Sequence, residues 1–266
     1  MSRYRIGIAG YGNMGAAIVR GLVSAGVFAA DEMAVYDPSS AACDSARTDG
    51  LAVLGTPGEI GDSCDIGIVA VKPKMVADVV AQIAASTGRI LIVSIAAGVT
   101  ISALEKNASG HPVIRVMPNT PCQTGAGASA VSRGTNAADS DVDSALKIMG
   151  ALGLAVEVPE ELMDAVTGLS GSGPAYVALV IDALADGGVK AGLPRATALA
   201  LAAQTVFGAA KMIRDESLTP SALRDMVASP GGTTIAGVAA LESWGVRAAF
   251  IDAVEAATER SRELGS

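Results

Sequence analysis

Residues 5 to 15 read Arg5-Ile6-Gly7-Ile8-Ala9-Gly10-Tyr11-Gly12-Asn13-Met14-Gly15 and lead directly into Ala16 to Ala25, a stretch of helical character. A short apolar strand, three glycines spaced G-x-G-x-x-G and a helix, in that order, make the turn that receives the diphosphate of a dinucleotide. The first glycine permits the tight turn, the second lets the backbone approach the diphosphate, and the third lets helix and strand pack closely. The helix start adds free N–H groups and the positive end of its dipole. A glycine turn of this kind also occurs in α/β chains that bind no nucleotide, so context decides its meaning. Here a second strand, Met33 to Tyr36, ends on Asp37, placed to accept hydrogen bonds from an adenosine ribose.

Beyond Asp37 the apolar runs Ile66 to Val71, Ile90 to Ile95 and Val113 to Val116 alternate with Ala-rich helical stretches. Continuous apolar strands of this length suit a parallel sheet covered on both faces. Gly127 to Ser132 and Ala155 to Val158 extend it towards an edge. The first part of the chain, residues 1–160, is thus predicted to be a Rossmann-type dinucleotide-binding domain. After Pro159 the strand signal fades, and Glu160 to Gly168, Gly173 to Gly188, Pro194 to Glu216, Pro220 to Val227 and Thr233 to Leu264 read as helices. Residues 161–266 are therefore expected to form an all-α domain, making the whole an α/β chain with a C-terminal helical domain. Alanines such as Ala178, Ala185, Ala198 and Ala202 permit close helix approach, and so slim a domain is expected to bury its apolar face against a second copy.

Composition narrows the field further. The chain has 266 residues, 50% of them hydrophobic and 17% charged, with a mean hydropathy of +0.45, which fits a globular core and excludes intrinsic disorder. No uncharged run exceeds 17 residues, and the longest, 165–181 and 116–132, contain Gly-Ser-Gly-Pro and two prolines, so no transmembrane helix is expected. The N-terminus has no apolar signal core, which predicts a cytoplasmic protein. Cys43, Cys64 and Cys122 are odd in number and widely spaced, and with the single His111 they form no metal-ligand or disulfide pattern. The expectation is a reduced, metal-free protein in which His111, beside Pro112, is solvated or hydrogen-bonded rather than catalytic. The first 160 residues hold 11 basic and 15 acidic side chains and the remainder 8 and 12, so each part carries −4 and nothing recruits nucleic acid.

Ligands of a doubly wound sheet bind beyond the carboxyl ends of its strands. Val71-Lys72-Pro73, Ser94-Ile95-Ala96-Ala97-Gly98 and Met117-Pro118-Asn119-Thr120-Pro121 occupy those ends. Ala96 and Ala97 would let a flat nicotinamide lie against backbone, and Asn119 has an amide suited to a carboxamide. Lys72 is read either as a cofactor contact or as a solvated surface lysine. Asp37 would repel a 2′-phosphate and leans towards NADH, whereas Ser39 and Ser40 could donate to that phosphate, so NADPH stays open. In the helical half, Gly171-Ser172-Gly173-Pro174 and Ser229-Pro230-Gly231-Gly232-Thr233-Thr234 are glycine and hydroxyl clusters at helix starts. Such starts hold carboxylates through N–H and hydroxyl donors. Plain N-capping by Ser229 or Thr233 is the competing reading.

Taken together, these segments resemble the pyrroline-5-carboxylate reductase family across essentially the whole chain. The resemblance rests on Gly10 to Gly15, Ala70-Val71-Lys72-Pro73, Ser94 to Ile101, Arg115 to Pro121, Gly171 to Ala175 and Pro220 to Glu242, the last centred on Ser229 to Gly237. It implies reduction of 1-pyrroline-5-carboxylate to L-proline by NADPH or NADH, the last step of proline biosynthesis. It also implies a homodimer interlocked through the helical domain, assembling further into rings such as a decamer. The resemblance places the substrate carboxylate on Ser229, Gly231, Gly232 and Thr233, sets the Thr234 hydroxyl against the ring nitrogen as the catalytic group, and aligns an acidic substrate-site residue near Glu216. Cofactor contacts fall on Gly10, Gly12, Asn13, Met14, Gly15, Asp37, Ser39, Val71, Lys72, Pro73, Ala96, Ala97 and Asn119, and no metal is implied.

Two rival readings share parts of this pattern. A 3-hydroxy-acid dehydrogenase uses a lysine on the first helices of its second domain, and the first lysine after the Gly171 cluster is Lys190, too late to match. A dinucleotide-binding regulator without catalysis would have no need of the Ser229 to Thr234 cluster.

Overall fold

Residues 4–265 are described by a computed structural model. Eight strands, β1 (Tyr4–Ala9), β2 (Met33–Tyr36), β3 (Ala52–Val53), β4 (Cys64–Val69), β5 (Leu91–Ser94), β6 (Val113–Met117), β7 (Gly127–Arg133) and β8 (Gly153–Glu157), form one sheet in the order β3-β2-β1-β4-β5-β6-β7-β8. Pairing is parallel from β3 through to β6. β7 then runs antiparallel to β6, joined to it through a 3₁₀ turn over Thr120–Thr124 with no crossover helix, and β8 pairs parallel with β7. The order reverses between β1 and β4, both departing from the same point of the sheet, and that is where a doubly wound sheet opens a crevice for ligand.

The helices of this unit are α1 (Asn13–Ser24), α2 (Ser40–Thr48), α3 (Gly58–Ser63), α4 (Val76–Ile83), α5 (Ile101–Glu105), α6 (Asp139–Gly150) and α7 (Met163–Val166). Alternation along β1 assigns them to two layers. Ile6 and Ile8 point to a core shared with Ile18 and Leu22 of α1 and Ile148 of α6. Ala9 belongs to the opposite core, with Ile60 of α3 and Val80 and Ile83 of α4. With apolar side chains buried on both faces, the central strands are anchored in register and their carboxyl ends become fixed points.

The second unit contains α8 (Gly173–Lys190), α9 (Arg195–Asp215), α10 (Pro220–Val227), α11 (Thr233–Ser243) and the beginning of α12 (Val246–Gly265). α8 and α9 pack through Ala185, Ala198 and Ala202, the small residues that allow a close approach. Elsewhere the unit is strongly apolar on its outside: Leu179 is 70% exposed, Phe207 59% and Trp244 85%.

Several sequence expectations need adjusting. Among the described residues the compact units are the chain through Ser172 together with the chain from Ala256, and Gly173–Glu255. Beyond residue 160, contacts still tie the chain to the sheet: Glu160 accepts from Arg115 and the Ile101 N–H, and Ser261 donates to Asp164 at 2.7 Å. The helix expected over Thr233 to Leu264 breaks at Trp244 and Gly245, with φ of +67° at Gly245 and a bend of 52° between α11 and α12. Glu160 to Gly168 is a 3₁₀ turn, then α7, then a single π turn over Thr167–Gly171. β3 is an additional two-residue strand. Two helical segments, Glu160–Lys190 and Arg195–Asp215, are long and apolar enough to cross a membrane by length and composition. The sequence expectation rested on uninterrupted uncharged runs, and these helices carry isolated charges within apolar surroundings.

Candidate active site

The glycine turn leaves β1 at Gly10, whose φ of +102° belongs to the region that favours glycine. A Cβ at Gly10 would stand 2.6 Å from the Ala70 carbonyl oxygen, and one at Gly15 would stand 2.1 Å from the Gly10 oxygen. Gly12 differs, because a Cβ there would meet nothing within 4 Å. Two glycines are thus demanded by the fold, while the middle one leaves its backbone bare to whatever approaches. Gly12 is also the N-cap of α1; no side chain caps that helix, and its first turn has no acidic residue. Exposed N–H groups at a helix start with a bare glycine beside them are a fit for a diphosphate. Asn13 is exposed, while Met14 packs partly onto the core, so Met14 offers its backbone.

Asp37 ends β2 beside this turn. Its Oδ2 accepts the Tyr11 N–H at 2.7 Å and its Oδ1 accepts the Ser39 N–H at 2.8 Å. The carboxylate therefore pins the glycine turn to the end of β2 while retaining lone pairs for a ribose hydroxyl. The Ser39 hydroxyl caps α2 through Ala42 N–H at 3.4 Å, which occupies one of the groups proposed as a phosphate donor. Tyr11 is buried, and its hydroxyl donates to Asp49 Oδ2 at 2.6 Å, which also accepts from Arg20. Burial, reinforced by the Asp49 bond, drives the Tyr11 phenol well above its usual range, and the same bond holds Asp49 below the ordinary carboxylate range.

The loops beyond β4, β5 and β6 lie at the same edge. Val71 is half-buried, while Lys72 and Pro73 are exposed; Lys72 has no ion-pair partner among the described residues. Ala96 is 6% exposed and its N–H donates to the Ser94 hydroxyl oxygen, and Ala97 is exposed beside it. Asn119 is engaged by protein: Oδ1 accepts the Ala128 N–H at 2.9 Å and Nδ2 donates to the Ser170 carbonyl at 3.1 Å. The amide expected to hold a carboxamide also braces the β6 loop, β7 and the π turn, and it retains a second N–H and a second lone pair. His111 accepts the Ile90 N–H at Nδ1, the hydrogen-bonded role expected of it.

In the helical unit, Gly231 takes a φ of +67° and the Gly232 N–H returns to the Ser229 carbonyl at 3.0 Å. Gly232 is the N-cap of α11, and no side chain caps it. Neither Ser229 nor Thr233 performs the N-capping that was their competing explanation. A Cβ at Gly232 would lie 2.3 Å from Ser229 Oγ, so the loop closes tightly around its glycine. Ser229 and Thr233 are exposed and Thr234 is half-buried in the first turn. Glu216 is exposed at the C-cap of α9, next to Ser217 in the left-handed region at φ +54°. Beside it, the Arg214 and Lys211 cations depress Asp215 to about 2.

One feature at the strand ends was missed from sequence. A cavity of about 490 Å³ in the sheet unit is lined by Pro73, Ala97 and Gly98 and also by Thr167, Ser172 and Arg260. The sequence signal was the spacing Ala257, Arg260, Ser261, Leu264, one face of a helix, but nothing local says that this face meets the sheet.

Comparison with known proteins places these features in a family. Residues 160–264 match the family described as pyrroline-5-carboxylate reductase dimerisation, and residues 5–98 that described as NADP oxidoreductase, coenzyme F420-dependent. A pyrroline-5-carboxylate reductase of Synechocystis sp. is 47% identical over 262 residues, covering 98% of each chain. Among solved structures, a pyrroline-5-carboxylate reductase from Coxiella burnetii superposes with a TM-score of 0.94 at 34% identity over the whole of both chains. The Plasmodium falciparum pyrroline carboxylate reductase with NADP bound gives 0.86 at 34% identity, again over both whole chains.

Proposed function

We propose a division of labour among named residues from the premise that this chain belongs to the pyrroline-5-carboxylate reductase family. It is an oxidoreductase that reduces 1-pyrroline-5-carboxylate to proline with a reduced nicotinamide dinucleotide. The observation that carries the reading is a pair of helix starts, α1 at Gly12 and α11 at Gly232, each capped by glycine and by no side chain. Each leaves N–H donors for an anion that the protein does not itself supply. A diphosphate suits the first, in a sheet whose strand ends are built for a dinucleotide, and the substrate carboxylate suits the second.

When bound, the cofactor supplies the hydride that passes to the imine carbon, while the ring nitrogen ends as a protonated secondary amine. The chain's own residues bind and orient. Gly10 and Gly15 set the turn, Gly12 and Asn13 present N–H groups to the diphosphate, and Asp37 takes a ribose hydroxyl. Val71, Lys72, Pro73, Ala96 and Ala97 form the nicotinamide side, with Asn119 bracing it. Ser229, Gly231, Gly232 and Thr233 fix the carboxylate, Thr234 directs its hydroxyl to the ring nitrogen, and Glu216 is the acidic substrate-site residue. Holding both reactants in one orientation is where a site without histidine or metal gains its rate.

The Asp37 carboxylate next to the ribose position favours NADH over NADPH, since it would repel a 2′-phosphate. The chain carries a dimerisation domain, and the exposed Leu179, Phe207 and Trp244 pack, in this reading, against a second copy, with dimers assembling into rings such as a decamer. Three unpaired thiols fit the reducing cytosol. The role of Thr234 is tested by Thr234→Ala: turnover is expected to fall by about one to two orders of magnitude with cofactor affinity within about threefold of wild type. Unchanged turnover would remove Thr234 from the chemistry.

A further inference from the structure

The cavity at the ends of β4 and β5 has a wall contributed from the far end of the chain. Pro73, Ala97 and Gly98 form one side, and the other is the last turns of α12, where Ala257, Arg260, Ser261 and Leu264 recur at i, i+3, i+4 and i+7. This end of the helix is held firmly. The Ser261 hydroxyl, in a residue only 7% exposed, donates to Asp164 Oδ1 at 2.7 Å. A Cβ on Gly98 would lie 3.8 Å from the Leu264 carbonyl oxygen, and one on Gly265 would lie 3.5 Å from the Gly98 oxygen, so the two backbones run close together. The cavity, about 490 Å³, falls within the size range of small-molecule sites.

Its chemistry is lopsided. Most of the lining is apolar or hydroxylic, the Thr167 hydroxyl is already committed to the Met163 carbonyl at 2.9 Å, and the one charged side chain is Arg260. Arg260 pairs with Glu263 one turn along the same helix, both side chains being more than half exposed. A surface pair of that kind contributes little and yields readily to a better partner. A guanidinium offers planar, paired donors to carboxylate or phosphate oxygens.

We propose that the last turns of α12 close the nicotinamide end of the ligand site and that Arg260 there binds an anionic oxygen, of a dinucleotide phosphate or of the imine's carboxylate. Arg260 is then a binding residue of the reductase, delivered by the C-terminal helix rather than by the strand-end loops. The inference rests on the placement of Pro73 and Ala97 at the cofactor, as set out under the proposed function.

The test uses the full chain with Arg260→Met, which keeps the stem and removes the charge, and Arg260→Lys, which keeps the charge. NADH and NADPH dissociation constants are read from cofactor fluorescence without substrate at low and high salt, followed by KM for 1-pyrroline-5-carboxylate at saturating cofactor. Arg260→Met is expected to raise one of these constants by about tenfold or more and to flatten its salt dependence, with Arg260→Lys recovering part of the loss. A rise in the cofactor constants identifies a phosphate as the partner, and a rise in substrate KM alone identifies the carboxylate. All constants within about twofold of wild type, or a lysine variant as impaired as the methionine variant with salt dependence intact, would overturn the proposal. Failure of the wild-type chain to bind either cofactor would instead refute the cofactor reading beneath it, and that titration precedes any variant.

Discussion

Gly12→Ala separates a glycine kept for ligand from glycines kept for the fold. The residue sits at φ −76° and ψ −167°, extended backbone that alanine adopts freely, and a new Cβ would meet no heavy atom within 4 Å. Two small effects on stability oppose each other. Alanine is a poorer N-cap than glycine by roughly 0.5 to 1 kcal/mol, and removing glycine from the unfolded chain returns about 0.4 to 1 kcal/mol. Net stability should therefore stay within about 1 kcal/mol of wild type, and Tm should move by only about 2 to 4 °C. Cofactor binding responds differently. N–H···O bonds hold at about 2.7 to 3.2 Å, and a methyl on the bare face keeps a phosphate oxygen beyond that reach. Losing one to two hydrogen bonds to a charged group, at about 1.5 to 3 kcal/mol each, gives roughly 3 kcal/mol, or about a hundredfold in dissociation constant. Thermal unfolding without cofactor and fluorescence titration with NADH and NADPH measure the two quantities separately. A Gly12→Ala chain that binds cofactor within about threefold of wild type would refute the assignment of this turn to the diphosphate.

Three further outcomes follow from the same structure. Gly15→Ala should fail by the opposite route, because its Cβ would lie 2.1 Å from a backbone oxygen; a loss of about 3 kcal/mol or more is expected in urea unfolding, and near-wild-type stability would contradict the packing described. Asp37→Ser should move the ratio of kcat/KM for NADH over NADPH towards NADPH by about tenfold or more, measured side by side, and an unmoved ratio would free Asp37 from cofactor selection. Burial raises the Cys64 thiol to about 11 and the Tyr11 phenol further still, so both groups are held neutral in the folded chain. Their folded pKa values exceed the unfolded ones, so this contribution is complete below about pH 8.5 and is lost as pH rises, by up to about 1.4 kcal/mol per pH unit for each group. Urea midpoints at pH 8 and pH 10 should differ accordingly, with a smaller difference in Cys64→Ala.

What could be read from sequence was what is local. The β1 to α1 turn is written in consecutive residues, as are the tight loop at Ser229 to Gly232 and the boundaries of Met33–Tyr36, which the strand occupies as expected. The contacts that assign roles lie far apart in the chain. Asp37 accepts from Tyr11 across 26 positions, Tyr11 reaches Asp49 across 38, and Asn119 is drawn to Ser170 across 51. No periodicity carries such pairings, which is why Asn119 read as a free amide and Asp37 as a free carboxylate. β3 is too short to make a pattern, and the break at Gly245 hides in a stretch whose neighbours on both sides are helical. The return of α12 to the sheet unit adds Ser261 to Asp164 across 97 positions, and with it the cavity wall bearing Arg260.

The central claim, an enzyme that delivers hydride from a nicotinamide dinucleotide to a cyclic imine, is tested most directly by following absorbance at 340 nm with 1-pyrroline-5-carboxylate and NADH or NADPH in parallel. The account predicts oxidation of the reduced cofactor dependent on the imine, with proline as product and the faster rate with NADH. A folded protein that binds cofactor yet oxidises neither NADH nor NADPH with this substrate would contradict it.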